Sequence, residues 1–188
     1  QERALPDAFI DTRVTGRRRM GLTANSWGDH HYASAGVFGE GLDDDRRNNE
    51  DWGLAGRAVA IPISEPDQVL AVGGAVYMRD LSSNSLLRFS ARPESHISGT
   101  QMVDTGFISG ADDLTMANAE LTFVSGPFHA EAEAFEVQVG RRSMDRVDFD
   151  GLYAQAGWFL TGETRPYSSK GARFGRVKPQ GENGAWEV

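Results

Sequence analysis

The chain has 188 residues, a formal charge of −8 and no cysteine. The acidic balance argues against a nucleic-acid partner, and the missing cysteine excludes disulfides and thiolate metal sites within these residues. Hydrophobic residues make up only 39%, and no run nears the roughly 18 residues a membrane helix needs; 69–78 is too short and is broken by Gly73 and Gly74. Strands of a membrane barrel remain possible, because about 9 to 11 alternating residues dilute hydropathy.

Gln1-Glu2-Arg3 does not open a secretory leader, and 184–188 only begins a pattern, so the chain reads as a piece of a longer protein. Period-2 segments separated by turn residues then follow one another. In 17–27, Met20, Leu22 and Ala24 share one face, opposite Arg19, Thr23 and Asn25. Gly28-Asp29 turns the chain into 31–39, where Ala33, Ala35 and Val37 form the apolar row. A polar loop, 40–51, leads to strand 52–63, and the turn 64–67 returns the chain as 69–79. There Leu70, Val72, Val76 and Met78 oppose Gly73, Ala75, Tyr77 and Arg79.

Beyond the loop 80–85, two further strands are expected at 86–92 and, more weakly, at 97–105, joined by a turn at 93–96. In the first, Leu87, Phe89 and Ala91 oppose Arg88, Ser90 and Arg92. After the loop 106–113, strand 114–124 sets Ala117, Ala119, Leu121 and Phe123 against Asn118, Glu120 and Thr122. The turn 125–127 opens 128–137, with Ala130, Ala132 and Ala134 against His129, Glu131 and Glu133. Past the loop 140–148, Leu152, Ala154, Ala156, Trp158 and Leu160 form one face, and Tyr153, Gln155, Gly157 and Phe159 the other. With 184–188 this gives about ten strands in an up-and-down meander, its connections alternating between short turns and longer loops as in outer-membrane barrels.

Aromatics flank the turns: Trp27 and Tyr32 at one end, Phe38 and Trp52 at the other, as two interfacial girdles require. A soluble β-sandwich would cap its core with the same residues. Arg57, Arg79, Arg88, Arg92, Glu120, Glu131, Glu133 and Gln155 all fall mid-strand, and a wet lumen accounts for them better than a packed core does.

Other chemistry is sparse. The acidic run 43–45 with Asn48, Asn49 and Glu50 lacks EF-hand spacing and its glycine, and reads as a solvated loop able to bridge divalent cations to lipopolysaccharide phosphates. His30 and His31 point to opposite faces, which disfavours a shared metal site. Glu131 and Glu133 share a face as a glycosidase pair would, but no sugar platform accompanies them. No nucleophile with its base and no nucleotide motif appears, so neither an enzyme nor a cofactor is expected.

The stretch LTGETRPYSSKGARFGRVKP with the following ENGAWEV resembles the signature of the phosphate-selective porins of Gram-negative outer membranes. ERALPDAF followed by RRRMGL, the LRFSARPESH to VDTG region and SGPFHAEAEAF are similar to the same family, in family order over nearly the whole chain. The resemblance implies a transmembrane antiparallel β-barrel of about sixteen strands in the full-length protein, assembled as a homotrimer in outer-membrane lipid and lipopolysaccharide. It implies that 1–13 end the constriction loop, 14–160 carry barrel strands, 161–183 form a long connector and 184–188 start the next strand.

Its implied cargo is inorganic phosphate or related anions, passing by diffusion. Pore-lining candidates are Arg57, Arg79, Arg88 and Arg92 on strands, Arg3 by the constriction loop, and Arg173, Arg176 and Lys178 in the connector. Arg57 shares its parity with Val59 and Ile61 and is the odd one of the set. An arginine on such a wall either meets the anion or pairs with a carboxylate, and Glu120, Glu131 and Glu133 are at hand. Lys170 and Lys178 are the only lysines, fewer than strong anion selectivity would favour. A barrel used as a surface scaffold, and a soluble carbohydrate-binding sandwich, are the other classes the residues allow.

Overall fold

A computed structural model describes residues 19–41, 52–91, 103–181 and 184–188; these form strands and connections, with no helix among them. In chain order the strands are β1 (Arg19–Trp27), β2 (His31–Gly41), β3 (Gly53–Ser64), β4 (Gln68–Leu87), β5 (Ser90–Ala91) and β6 (Val103–Asp104). They continue with β7 (Ile108–Ser125), β8 (Phe128–Arg141), β9 (Val147–Trp158), β10 (Tyr167–Ser168) and β11 (Arg173–Phe174). Seven of them form one open antiparallel sheet in the order β1-β2-β3-β4-β7-β8-β9. Sequential neighbours pair because tight turns join them at one end: Gly28 N–H donates to His31 O, Glu65 N–H to Gln68 O, and Gly126-Pro127 closes β7 onto β8. Pro62 carries no amide proton, and the β3–β4 register shifts between Ala60 and Ile63 around it.

The strand count differs from the sequence expectation. Of the strands expected at 86–92 and 97–105, the described residues do not stand between β4 and β7, because β4 pairs directly with β7 from Gln68↔Ser125 to Leu87↔Ile108; residues 92 and 97–102 lie outside the described residues. The expected loops 80–85 and 106–113 fall largely within these two strands, which run 20 and 18 residues. The alternation of Leu87 and Phe89 serves packing instead. Both join Leu81 and Ile108 in a buried cluster on Leu114, Met116, Val137 and Val139, and Phe89 lies 5.4 Å from Phe149. Of the segment between β4 and β7, Phe89 thus packs against one face of the sheet, and the short strands β5 and β6 pair antiparallel.

Polarity across the sheet is inverted relative to a soluble protein. Leu22 is 82% and Leu152 76% exposed, while Glu120, Glu131 and Glu133 are only 6%, 8% and 2% exposed. Registered rows show why. Leu22, Val37, Leu54 and Met78 lie across from one another on the outer face, as do Ala60, Val72, Leu121, Ala132 and Ala154. The inner face carries Asn25, Ser34, Arg57, Ala75 and Asn118 in one row, and Tyr32, Val59, Gly73, Glu120, Glu133 and Tyr153 in the next. The outer rows meet no second layer of protein among the described residues, unlike the inward faces of a sandwich.

The aromatic expectation needs revision. Tyr32 and Phe38 belong to the inner rows, where Arg57 stacks on Tyr32 and the Phe38 ring covers Gly21 and Gly36. Trp27 shares the inner row of Tyr32. The outward aromatics at the short-turn end are Phe123, Phe128 and Trp158, with ring centroids 6.2 and 6.1 Å apart along the row. At the opposite end Trp52 is exposed, as expected, while on β8 and β9 the outer face turns polar: Arg146 pairs with Asp148 at 2.8 Å and reaches Gln138.

Candidate functional site

The chain leaves β9 through Phe159, which is buried, and Leu160, which faces outward, so strand alternation carries past the last sheet residue. Trp158 then exchanges backbone bonds with Val188, and Leu160 N–H donates to Trp186 O, the two segments running antiparallel. Between these points the connector turns inward. Its β10–β11 hairpin lies on the inner face, where Tyr167, Ala172 and Phe174 pack on Val59, Ile61, Val69, Ala71 and Val124. Apolar residues on the inner side of β3 are thus the floor under this hairpin.

Two polar clusters fix the hairpin. At its base, His129 Nε2 lies 2.8 Å from Arg165 Nη1 and 3.0 Å from Glu187 Oε1, between a donor and an acceptor. The His129 ring stacks on Phe159 at 5.3 Å and meets the Phe174 ring edge-on, while Arg165 sits 4.8 Å over Phe174. Gly157 allows this, since a Cβ there would come within 2.5 Å of the His129 ring. At the tip, Arg57 Nε and Nη2 donate to the two Glu120 oxygens at 2.8 and 3.1 Å. Arg57 Nη1 and Nη2 also donate to the carbonyls of Gly171 and Ala172 at 3.0 and 2.7 Å. Gly73 makes room, because a Cβ there would meet Glu120 Oε1 at 2.8 Å. Lys170, beside the tip, reaches Trp27 of β1 with its ammonium 5.3 Å from the ring centroid.

The return limb is pinned by Glu163, whose carboxylate accepts from the Thr161 hydroxyl and from Gln180 N–H at 3.1 Å. These bonds, that from Thr161 foremost, hold the Glu163 carboxyl below its usual range. In the opposite loop, Arg88 donates to both oxygens of Asp104 at 2.8 and 2.6 Å, and Gly106 N–H donates to Asp104 at 2.9 Å. Arg88 and then Gly106 lower the Asp104 carboxyl to about 2.

The sequence-derived candidates therefore fall in different places. Arg57 and Arg79 are both on the inner face, Arg79 buried and Arg57 in the tip cluster. Arg88 lies in the loop pair with Asp104, past the end of β4, rather than on a wall strand. Arg173, Arg176 and Lys178 have exposed side chains in the connector. Arg3, Arg92 and the acidic run 43–45 lie outside the described residues. On the wall, Gln155 donates to Glu131, the two facing each other across β8 and β9. Among the described residues, no cluster of three or more His, Asp or Glu side chains suits a metal ion. Sequence reasoning missed Arg165 and Lys170, because a connector offers no periodicity from which to read direction, and Asp104 and Glu187, whose partners Arg88 and Arg165 are distant in sequence.

Comparison with known proteins bears directly on this arrangement. The family model described as phosphate-selective porin O and P matches residues 2–188. The chain is 32% identical over 201 residues to Porin O of Pseudomonas aeruginosa, covering 96% of this chain and 45% of that protein. It is 30% identical over 183 residues to an uncharacterised protein of Caulobacter vibrioides, covering 92% of this chain and 36% of that protein. The chain thus spans less than half the length of these curated relatives. With an oily outer face, buried inner carboxylates and this match, the chain belongs to the phosphate-selective porin O and P family of Gram-negative outer membranes, and its open sheet is a sector of a transmembrane β-barrel wall.

Proposed function

We propose that the full-length protein is a passive outer-membrane pore with a preference for phosphate-type anions. The observation that supports the reading is a hairpin packed on the inner face that leads into a basic segment. Arg173, Arg176 and Lys178, all with exposed side chains, follow the tip of a hairpin that packs on the lumen side of the wall. Diffusive passage needs groups that replace part of the anion's hydration yet release it, so several moderate sites serve better than one tight one. Arginine suits phosphate because its planar fork donates two parallel hydrogen bonds. Arg79 on the wall, Arg88 in the loop, and Arg3 and Arg92 complete the proposed set of cations. The inner carboxylates temper selectivity, and Glu120 is offset by Arg57.

The assembly that accompanies this reading is a homotrimer seated in lipid and lipopolysaccharide, with 1–13 ending a constriction loop. The test is conductance of the full-length protein in planar bilayers under a salt gradient. Neutralising Arg173, Arg176 and Lys178 together with glutamine, or replacing Arg88 and Arg92 with alanine, should shift the reversal potential toward cations. Unchanged reversal potentials would remove these groups from the conduction path. A parent protein that passes no current would point to a scaffold.

A further inference from the structure

We infer that Arg57, with Glu120, is a positioning residue that holds the connector hairpin in place, and not a rung of the anion path. Its effect on current rests on the pore reading above; its effect on the hairpin does not. The guanidinium has five N–H donors. Four of its contacts are made within the protein: two to the Glu120 carboxylate and one each to the carbonyls of Gly171 and Ala172. Its face rests on Tyr32 at 5.5 Å. An anion entering here would have to displace a carboxylate already bound in fork geometry, in a site where Glu120 adds like-charge repulsion.

The tip is shaped for this contact. Gly171 and Ala172 N–H groups bond back to Ser168 and Ser169 carbonyls, and Ala172 adopts φ +45, a left-handed conformation disfavoured outside glycine. That turn leaves the carbonyls of 171 and 172 directed at one cation. Backbone carbonyls carry no sequence preference, so the wall arginine supplies the specificity that the tip lacks. Gly73 keeps the wall bare where Glu120 must lie, and β3 and β7 flank β4 so that residues 57 and 120 meet across it. Held this way, the tip puts Lys170 over Trp27 at the far edge of the sheet.

The test uses the full-length protein with one introduced cysteine, Ser168→Cys, carrying a nitroxide label, and any cysteines outside these residues replaced. Ser168 is exposed and lies on β10, so its spectrum reports hairpin motion. In the parent the slow component should dominate. Arg57→Ala and the near-isosteric Glu120→Gln should each raise the mobile-to-immobile ratio about tenfold or more, as loss of charged hydrogen bonds does. Arg57→Lys, which keeps the charge but not the fork, should restore only part of the slow component.

Spectra unchanged in both Arg57→Ala and Glu120→Gln would overturn the proposal. So would tighter phosphate block in Glu120→Gln with an unchanged spectrum, since that is how a released anion site behaves. If the spectra respond while the parent passes no current, the clamp stands and the pore reading falls.

Discussion

An arginine placed at Ala119 tests the orientation of the whole wall. Ala119 is exposed on the outer face and registers with Gly74 and Ala134. It lies four positions from outward Phe123 and four from Thr115, which registers with Gln138 at the polar end. At about 3.4 Å per residue and a tilt near 40°, four positions correspond to roughly 10 Å of depth. Ala119 therefore stands near the middle of the hydrocarbon and Thr115 near its edge. Ala119→Arg should cost about 2–4 kcal/mol and Thr115→Arg about 0–1 kcal/mol.

The assay is urea-dependent folding of the full-length protein into phospholipid vesicles, followed by tryptophan fluorescence. Ala119→Leu gives a second discriminator. Lipid accommodates the added methylenes without penalty, whereas a packed protein layer would resist them by about 1–3 kcal/mol. Equal costs for the two arginines, or a marked loss in Ala119→Leu, would refute the placement of this face in hydrocarbon.

Two further outcomes are expected. Phe159 is buried beneath His129 at the root of the connector, and Phe159→Ala should cost about 3–5 kcal/mol in the same folding assay; a cost under about 1 kcal/mol would mean that this ring is not part of a packed base. Asp104 titrates at about 2 against an ordinary 3.8, so the unfolded chain takes up its proton first as the solution is acidified. The stabilisation of the β5–β6 loop is then complete above about pH 4 and is lost as pH falls through about 2. A carboxyl NMR titration should show this midpoint, and Arg88→Ala should raise it into the usual carboxylate range; an unmoved midpoint would dismiss Arg88 as the cause.

Much of the wall was legible because lipid imposes a one-sided requirement. Rows such as Ala117, Ala119, Leu121 and Phe123 repeat every second residue and meet nothing that would break the period. The inner face was harder to read, since it is lumen in some places and protein core in others. Val59 and Ile61 share Arg57's side because a hairpin rests on them, and that hairpin is more than a hundred residues away in sequence. Leu87 and Phe89 alternate like a wall strand yet pack in a loop cluster, because alternation records only that one side is apolar, not what covers it. The connector's composition marked it as basic and glycine-rich, but its anchors depend on long-range pairs such as Arg165 with Glu187.

The connector that leaves β9 and touches β1 crosses the inner face of the sheet from one edge strand to the other. Mechanically it is a strap across the sheet. It is fastened at β3, β8 and β9, so strands that are not ladder neighbours are linked through it. The spacing of these strands is then tied to a handful of internal fastenings as well as to the ladder between neighbours.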